Sequence, residues 1–298
     1  MTTPSEAGLH GWLIIDKPAG TTSARVVAAI KRATGAKVGH AGTLDPLATG
    51  VLPLALGEAT KTVQFATAGR KHYRFRVSWG TATDTDDREG DVVAQTAARP
   101  DAAAIADALP AFTGTIMQRP PAYSAIKVAG RRAYALARAG KPPALAARPV
   151  EIVELSLLST ADQDQAEFEA EVGEGTYIRS LARDLAAALG TLGHIIELRR
   201  LSVGRFSEAQ AISLDSAVAL GHKLAASEHL LPIETALDDI PALALTAAEA
   251  ARLRHGQRIP VPARFDEGTL VAVRHDRLTV ALARIEGGLL RPVRVINR

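Results

Sequence analysis

The 298-residue chain contains no cysteine and few aromatic residues, which make up 4% of the sequence. Without cysteine it has no disulfide bond, no thiolate metal site and no cysteine nucleophile, so a nucleophile must use oxygen or nitrogen. No apolar run approaches the roughly 20 residues that span a bilayer, and residues 1–12 lack the charged start and apolar run of a secretory signal. We therefore expect a globular cytoplasmic protein with no membrane partner.

Acidic and basic side chains are nearly balanced in number, 32 against 35, but they are segregated along the chain. Residues 61–76 and 108–150 contain lysines and arginines and no acid, whereas residues 84–91 and 162–171 are strongly acidic. Acid-free basic stretches are typical of proteins that bind polyanions, although each can also be an ordinary solvated surface. We expect the two basic stretches to contact phosphates.

Hydrophobic periodicity predicts the elements that carry the motifs. Residues 71–79 alternate, which predicts a strand with one apolar side (Tyr73, Phe75, Val77, Trp79) and one basic side (His72, Arg74, Arg76). Further strands are predicted at GWLIID, VEIVELSLL, AEFEAEV, TLVAVR, LTVALARI and LLRPVRVI, the last two joined by a hairpin turn at EGG. Helices are predicted from Ser23, which we expect to be the cap, and in PDAAAIADALPAF, RRAYALARAG, YIRSLARDLAAALG and LTAAEAARLRHG. We predict that residues 113–130 form a long basic loop.

One carboxylate, Asp45, lies between a glycine-rich turn and a proline in GHAGTLDPLATG, residues 39–50. Asp followed by Pro is a preferred start of a helix, so one interpretation is that Asp45 caps a helix. The other is that Asp45 is a nucleophile, because carboxylates can form covalent intermediates. The remaining polar candidates at loops and element ends, each with its own structural explanation, are Lys17, His40, Tyr73, Tyr177 and Arg179.

The spacing of other residues argues against three common kinds of site. The eight histidines are scattered, with no HxxxH or HExxH pattern, so we expect no metal and no cofactor. In GEATKT the glycine stands four residues before Lys61, whereas a phosphate-binding P-loop places the two side by side. No GxSxG elbow of a serine hydrolase is present.

Six motifs resemble, in order and spacing, those of the TruB family of bacterial tRNA pseudouridine synthases, which isomerise the uridine at position 55 in the T loop. The likeness extends over about residues 10–210. The motifs are DKPAGTTS (16–23), GHAGTLDPLATGVLPLALGEATK (39–61), KHYRFRVSWG (71–80), RPPAYSAIKVAGRRAYALARAG (119–140), GTYIRSLARDLAAALG (175–190) and LRRLSVGRF (198–206).

The resemblance assigns roles to individual residues. It implies that Asp45 is the catalytic nucleophile and that Arg179 forms an ion pair with it. It also implies that Tyr73 stacks on the target uracil and that His40 enters the T loop where bases have been displaced. The residues implied to line the pocket are Lys17, Tyr177 and Leu198.

The resemblance further implies an α+β pseudouridine-synthase fold, with a central mixed, largely antiparallel sheet flanked by helices. The implied catalytic domain covers residues 1–240 and includes a mobile RNA-clamping segment at about residues 116–150, here called the basic segment. Residues 241–298 are implied to form a small β-rich, PUA-like RNA-binding domain. The implied partner is the T stem-loop of tRNA, bound by a monomer.

The residues alone leave two other functions open. One is a non-catalytic RNA-binding or tRNA-folding module, which the basic stretches and the β-rich C-terminal part also fit. The other is a nucleoside or base hydrolase, which would release free uracil.

Pseudouridine formation, the reaction that the resemblance implies, breaks the N1–C1′ bond, turns the base and joins C5 to C1′. The sequence leaves open whether Asp45 attacks at C1′ or at C6.

Overall fold

The computed structural model describes residues 8–124, 126–128, 130–141, 143–261 and 265–298. These residues group into two compact bodies. The first body contains residues 8–44, Val51–Ala68 and Gly204–Arg298, and the second contains Asp45–Gly50 and Gly69–Val203. Residues 1–7, part of the signal-peptide argument, lie outside the described residues. Within the described ranges, no helix has the length and apolar character required to cross a membrane.

The helices and strands of the described residues are as follows. The helices are α1 (Ser23–Thr34), α2 (Val63–Thr67), α3 (Ala102–Ala108), α4 (Ala133–Arg138), α5 (Ile178–Ala188), α6 (Leu214–Leu220) and α7 (Ala247–Arg254). The strands are β1 (Gly11–Lys17), β2 (Val38–His40), β3 (Thr49–Leu56), β4 (Lys71–Trp79), β5 (Thr81–Thr83), β6 (Val92–Gln95), β7 (Gly114–Gln118), β8 (Lys127–Val128), β9 (Arg131–Arg132), β10 (Arg148–Asp162), β11 (Gln165–Val172), β12 (Gly193–Val203), β13 (Phe206–Ser207), β14 (Ile212–Ser213), β15 (Leu230–Leu231), β16 (Ala242–Ala244), β17 (Ile259–Pro260), β18 (Leu270–His275), β19 (Leu278–Glu286) and β20 (Leu289–Val295).

The second body is built on a sheet with the strand order β12–β4–β11–β10–β7, in which every neighbouring pair is antiparallel. Thr49 and Gly50, the first two residues of β3, pair in parallel with β12. The sheet is therefore mixed and largely antiparallel. The predicted α+β class, with helices beside such a sheet, is confirmed.

The apolar side of β4 is buried, as its alternation predicts. Tyr73, Phe75, Val77 and Trp79 are all less than a tenth exposed. Phe75 stacks on Phe168 of β11, with ring centroids 5.3 Å apart. This packing fixes the register of the sheet, because a slip of one residue would turn the apolar set towards solvent.

The basic side of β4 is neutralised by acids of the adjacent strands. Arg74 Nη2 lies 2.6 Å from Glu169 Oε1 of β11. Arg76 lies between Glu167 of β11, at 3.9 Å, and Glu197 of β12, at 3.3 Å. The 61–76 stretch is free of acids in sequence, but Glu167 and Glu169 of β11 pair with these arginines across the sheet. The expected phosphate contacts of this stretch stay a prediction.

Helix α5 packs against the sheet of the second body. Leu181 and Leu185 are fully buried on its apolar face. A Cβ added to Gly193 of β12 would lie 2.9 Å from the Cβ of Ala186, so helix and strand pack closely at this point. The chain leaves α5 through Gly190, whose φ of +69° is favoured by glycine. The predicted end of the helix is confirmed.

In the first body, β1 lies between β14 and β3 and also pairs with the short strand β15, and β2 pairs with β3. Helix α1 follows β1, but its cap is Thr22, whose Oγ1 accepts a hydrogen bond from Arg25 N–H at 3.2 Å. The prediction that Ser23 is the cap is wrong. Ser23 is the first helical residue, and its Oγ accepts from Leu44 N–H and donates to Leu44 C=O, at 2.9 and 3.1 Å.

The C-terminal strands form a second sheet, with the order β16–β18–β19–β20–β17. It encloses its own core, to which α7 contributes Ala250 and Leu253. Gly287 and Gly288, with φ of +61° and +71°, make the predicted hairpin turn. A β-rich C-terminal domain is confirmed, whereas the boundary between residues 240 and 241 stays a prediction.

The prediction that residues 113–130 form a loop is wrong for part of that range. Gly114–Gln118 forms β7 at the edge of the sheet, and Lys127–Val128 pairs with Arg131–Arg132 in a small hairpin. The prediction is wrong at Gly114–Gln118 because pairing with β10, which comes later in the chain, orders a stretch of weak local preference. Residues 125, 129 and 142 of the basic segment lie outside the described residues.

Candidate active site

Asp45 lies in a tight turn that leads directly into β3. Ala48 N–H donates to the Asp45 C=O at 3.1 Å, and the strand begins at Thr49. No helix begins at Asp45, so the interpretation of Asp45 as a helix cap is wrong. Asp and Pro are also preferred turn residues, and here the following residues pair with β12.

Gly50 allows this turn to lie close to β12. Gly50 pairs with Arg200 and has a φ of +95°. A Cβ at this position would lie 2.2 Å from the carbonyl oxygen of Arg200, which no side chain can accommodate. The close approach of two backbones therefore requires a glycine five residues after Asp45.

Arg179, in the first turn of α5, binds Asp45 directly. Its Nε donates to Asp45 Oδ2 at 2.9 Å. Nη1 donates to the Thr85 carbonyl at 2.7 Å and Nη2 to the Tyr123 carbonyl at 2.9 Å. The arginine side chain is 4% exposed and the aspartate side chain 35%. The guanidinium is thus held from three directions, while the carboxylate that it orients is open to solvent.

Asp87 is a second carboxylate beside Arg179, and sequence reasoning missed it. Its Oδ2 lies 3.5 Å from Arg179 Nη1. Its Oδ1 accepts from Thr85 Oγ1 at 2.7 Å and from Glu89 N–H at 3.0 Å. Asp87 is buried, so it neutralises the arginine from the protein side. In the sequence, Asp87 belongs to the acidic run of residues 84–91. Composition shows that this run offsets the charge of the basic stretches, but it does not indicate a contact with Arg179.

The adjacent Asp86 pairs with Arg183, one turn further along α5. Asp86 Oδ2 accepts from Arg183 Nη1 at 2.9 Å. Burial raises the pKa of Asp86, although the charges of Arg183 and Arg179 oppose this. Arg183 Nη2 and Ser180 Oγ both donate to the Arg119 carbonyl, at 2.8 and 2.9 Å. Helix α5 therefore binds two acidic loop residues and the start of the basic segment.

Tyr73 and Leu198 lie on one face of the same sheet. Tyr73 of β4 is opposite Arg200 of β12, which in turn is opposite Gly50 of β3. Leu198 is opposite Phe75 in the same pair of strands. Both candidates are nearly buried, at 8% and 7% exposure. The sheet therefore places both side chains near the row of paired residues that ends at Gly50, and Gly50 follows the turn at Asp45.

Tyr177 is the N-terminal cap residue of α5, two residues before Arg179. It provides no side-chain cap. Its backbone N–H donates to Gln118 Oε1 at 2.8 Å, and its carbonyl accepts from Gln118 Nε2 at 3.1 Å. The Arg148 guanidinium lies over its ring, 5.8 Å from the centroid. Gln118 did not emerge from sequence reasoning, because no local pattern indicates its contact with α5.

Lys17 and His40 belong to the first body, whereas the other five candidates belong to the second. Lys17 is fully buried, and its Nζ donates to the carbonyls of Pro18 and Thr21 at 2.9 and 2.6 Å. Its ammonium group therefore orders the loop after β1. His40 is the last residue of β2, opposite Leu54. In the described ranges, no three His, Asp or Glu side chains group in the manner of metal ligands.

Relatives with similar sequences extend over nearly the whole chain. The protein named "tRNA pseudouridine synthase B" of Rhodospirillum rubrum is 53% identical over 299 residues, covering 97% of each chain. A protein of the same name from Bradyrhizobium diazoefficiens is 54% identical over 298 residues, covering 97% of this chain and 86% of its own.

Two solved structures share the fold. One, "Structure of H/ACA RNP bound to a substrate RNA containing 2'-deoxyuridine", has a TM-score of 0.75 at 26% identity, covering 97% of this chain and 86% of the other. The second, "Crystal Structure of a Cbf5-Nop10-Gar1 Complex", has a TM-score of 0.74 at 28% identity, covering 100% of this chain and 91% of the other.

Family models match three consecutive parts of the chain. Residues 30–178 match "TruB family pseudouridylate synthase (N terminal domain)". Residues 179–238 match "tRNA pseudouridylate synthase B C-terminal domain", and residues 241–296 match "Pseudouridine synthase II TruB, C-terminal". With relatives more than half identical along its length, the chain belongs to the TruB family of pseudouridylate synthases.

Proposed function

We propose that this protein isomerises the uridine at position 55 in the T loop of tRNA to pseudouridine, with the Asp45 carboxylate as nucleophile. The observation that carries the proposal is the 2.9 Å contact between Asp45 Oδ2 and the buried Arg179. Among the described residues no donor binds Asp45 Oδ1, so this oxygen is available for attack. The name of the relatives, "tRNA pseudouridine synthase B", supports tRNA as the substrate.

A single open carboxylate suits an isomerase better than a hydrolase. Most glycosidases need two carboxylates, because one must protonate a poor leaving group while the other acts as nucleophile or base. Uracil can leave as a delocalised anion, so protonation of the leaving group is not required. The second acid near Arg179, Asp87, is buried; its Oδ1 accepts two hydrogen bonds, and its Oδ2 lies 3.5 Å from Arg179 Nη1. It is therefore a support and not a reagent. Arg179 fixes the direction of the Asp45 carboxylate through a charge-assisted hydrogen bond.

The atoms of the reaction balance without any co-reactant. The N1–C1′ bond of the target uridine breaks and the C5–C1′ bond forms. C5 loses a proton and N1 gains one, so product and substrate are isomers. Attack by Asp45 at C1′ or at C6 satisfies this balance equally. In either case water must be kept out, because its attack at C1′ would leave an abasic site.

The target base must leave its stack in the T loop, at a cost of a few kcal/mol. Stacking of a base on an aromatic side chain returns about 1–3 kcal/mol, and we assign this role to Tyr73. Its support is the position of the ring on the sheet face that also carries Leu198, which we assign as an apolar wall of the base pocket. Tyr177 is assigned to the same pocket, because it directly precedes the turn that holds Arg179.

The remaining assignments extend from the pocket to the whole tRNA. We assign Lys17, whose ammonium group orders the loop after β1, to the residues that bind the substrate. We assign His40 to the T loop, which it enters in place of displaced bases. The basic segment and the C-terminal domain bind the phosphates of the T stem-loop, which is recognised by its shape as much as by its sequence. We further propose that one copy of the chain acts alone, in the cytoplasm, where tRNA is modified.

The proposal is tested by incubating the protein with an unmodified tRNA transcript and mapping pseudouridine along the product. A matched transcript with cytidine at position 55 is the control. We expect pseudouridine at position 55 only, no free uracil and no product from the control transcript. Release of uracil would identify a hydrolase, and binding without any change in the RNA would identify a non-catalytic binding module. Either result would contradict the proposal.

A further inference from the structure

The ends of the basic segment are joined to each other by a pair of residues on neighbouring strands. Gln118 is the last residue of β7 and Arg148 is the first residue of β10. The two residues lie directly opposite one another in the antiparallel pair. Directly opposite residues of such a pair have neighbouring side chains, so the chain enters and leaves the basic segment at one point.

Both side chains bind the loop that precedes α5. Gln118 makes two hydrogen bonds to the backbone of Tyr177, one as acceptor at 2.8 Å and one as donor at 3.1 Å. Arg148 Nη2 donates to the Gly175 carbonyl at 2.8 Å, and the guanidinium also lies over the Tyr177 ring. Gly175 has a φ of +83°, so the loop turns sharply at the point where Arg148 holds it.

This loop determines where the first turn of α5 begins. The first backbone N–H groups of a helix have no partner within the helix, and Tyr177 provides no side-chain cap. The amide of Gln118, on another strand, instead holds the backbone N–H and C=O of the cap residue Tyr177. Its own exposure is 1%, so the amide is withdrawn from water and both of its polar atoms are bonded to Tyr177.

Arg179 follows two residues after Tyr177 and binds Asp45. A shift in the start of α5 would therefore move the guanidinium against the carboxylate. Small displacements matter at a reacting centre, because a misplacement of about 1 Å can reduce a rate about 10²-fold. Arg148 is half-buried and bonded to the loop, which distinguishes it from the exposed cations of the same basic stretch.

We propose that Gln118 and Arg148 are positioning residues for the reaction, which hold the start of α5 so that Arg179 orients Asp45. The inference rests on the proposed function. It predicts that removing either side chain's bonds to the loop slows the chemical step and leaves tRNA affinity nearly unchanged. A contribution to folding alone would instead lower the amount of active protein and leave the rate constant of the active molecules as it was.

The test compares single-turnover rate constants at saturating tRNA, dissociation constants for tRNA and thermal unfolding midpoints. Gln118→Met keeps the length of the side chain and removes both hydrogen bonds to Tyr177. Gln118→Glu keeps the acceptor for Tyr177 N–H and loses the donor. Arg148→Lys keeps the charge and loses the planar fork. The matched controls are Gln95→Met, on an exposed strand, and Arg99→Lys, whose guanidinium binds Asp164 and nearby carbonyls.

We expect Gln118→Met to lower the rate constant about 10- to 100-fold, with tRNA affinity within about twofold of the parent. Gln118→Glu should recover part of the loss, because one hydrogen bond to the start of α5 remains. The effects of Gln118→Met and Arg148→Lys should combine less than additively, because both act on one loop. The two control variants should match the parent.

Several results would overturn the inference. A rate constant of Gln118→Met within about twofold of the parent is one of them, and a loss of affinity equal to the loss of rate is another. A smaller amplitude of product formation with an unchanged rate constant would show that Gln118 affects only the fraction of folded protein. If Gln118→Met does not fold, unchanged rate constants for Gln118→Glu and Arg148→Lys would still overturn it. A parent protein that makes no pseudouridine would instead refute the proposed function itself.

Discussion

The start of helix α5 and the basic segment both carry positive side chains, and the two regions surround them differently. Arg179 of α5 is buried and bonded to Asp45 and to two backbone carbonyls. In the basic segment, Lys127, Arg131 and Lys141 are exposed, and within the described ranges no acid forms an ion pair with them. On the proposed function, the buried arginine of α5 orients Asp45, whereas the exposed cations of the basic segment bind RNA phosphates. Changes in the first region should alter the rate, and changes in the second should alter the affinity.

Arg179→Lys should have the largest effect among these changes. Lysine keeps the charge but cannot bind Asp45, Thr85 and Tyr123 at once with a planar fork. We expect a loss of about 10²-fold or more in the single-turnover rate constant, with tRNA affinity nearly unchanged. Arg99→Lys, which alters an arginine with similar partners outside the site, is the control. A rate within about twofold of the parent would show that Arg179 supports the helix and not the reaction.

Removing the exposed cations of the basic segment should have the opposite effect, with a loss of tRNA affinity and little change in rate. The four changes are Lys127→Gln, Arg131→Gln, Arg138→Gln and Lys141→Gln. On the proposed function these four side chains bind phosphates, which the variant can no longer neutralise. Affinity for tRNA should then fall at least about tenfold, and the slope of log affinity against log salt should flatten by about three units. The rate at saturating tRNA should change little, because these residues do not touch Asp45 or Arg179. An unchanged salt slope would mean that the segment is an ordinary solvated surface.

Three arginines in or just before β4 provide a contrast with the exposed cations of the basic segment, because acids already match their charges. Arg70, Arg74 and Arg76 pair with Glu171, Glu169 and Glu197. Changing all three arginines to glutamine should alter the salt slope by less than about one unit. Exposed ion pairs of this kind each contribute about 0–1 kcal/mol, so the cost in stability should be small. A slope as flat as that of the basic-segment variant would contradict this account.

The smallest effect concerns Lys61, whose charge is also matched. Lys61 Nζ binds Glu58 Oε2 at 2.6 Å and the Val295 carbonyl at 2.8 Å. Burial alone would raise the pKa of Glu58, but the hydrogen bonds from Lys61 and the Asn297 N–H outweigh it and lower the pKa below its usual 4.5. The carboxylate therefore adds stability above that pH, and the contribution is lost as the pH falls below it.

Glu58→Gln should accordingly reduce the drop in thermal midpoint between pH 7 and about pH 4 by a few degrees at most. Glu228→Gln, at an exposed position, is the control and should follow the parent. An equal drop in the parent and in Glu58→Gln would show that the contact adds no stability in this pH range.

Local patterns predicted much of the fold, and contacts distant in sequence explain what they missed. The alternation of β4 and the glycine at the end of α5 depend on neighbouring residues, so both could be predicted. The turn at Asp45 could not, because Asp-Pro starts helices and turns alike, and the choice depends on the pairing of Gly50 with Arg200. The ion pairs of β4 could not be predicted for the same reason, because Glu169 lies on a strand much later in the chain.

The residues of the candidate site divide in the same way, into those that a motif predicts and those that only distant contacts identify. Motif resemblance selected Asp45 and Arg179, and the structure joins them by a hydrogen bond. Asp87 and Gln118 were missed, because each acts only through contacts with α5, which the chain reaches much later. A burial pattern cannot predict such partners, since a buried aspartate or glutamine is recognised only when its hydrogen-bond partners are known.

The most direct test of the central claim is the single-turnover rate of pseudouridine formation by Asp45→Asn, measured with its tRNA affinity. Asparagine keeps the shape of the side chain and can still accept a hydrogen bond from Arg179, but it lacks the nucleophilic carboxylate. We expect tRNA affinity within several-fold of the parent and no detectable pseudouridine at position 55. Product formation at more than about one per cent of the parental rate would contradict the assignment of Asp45 as the nucleophile.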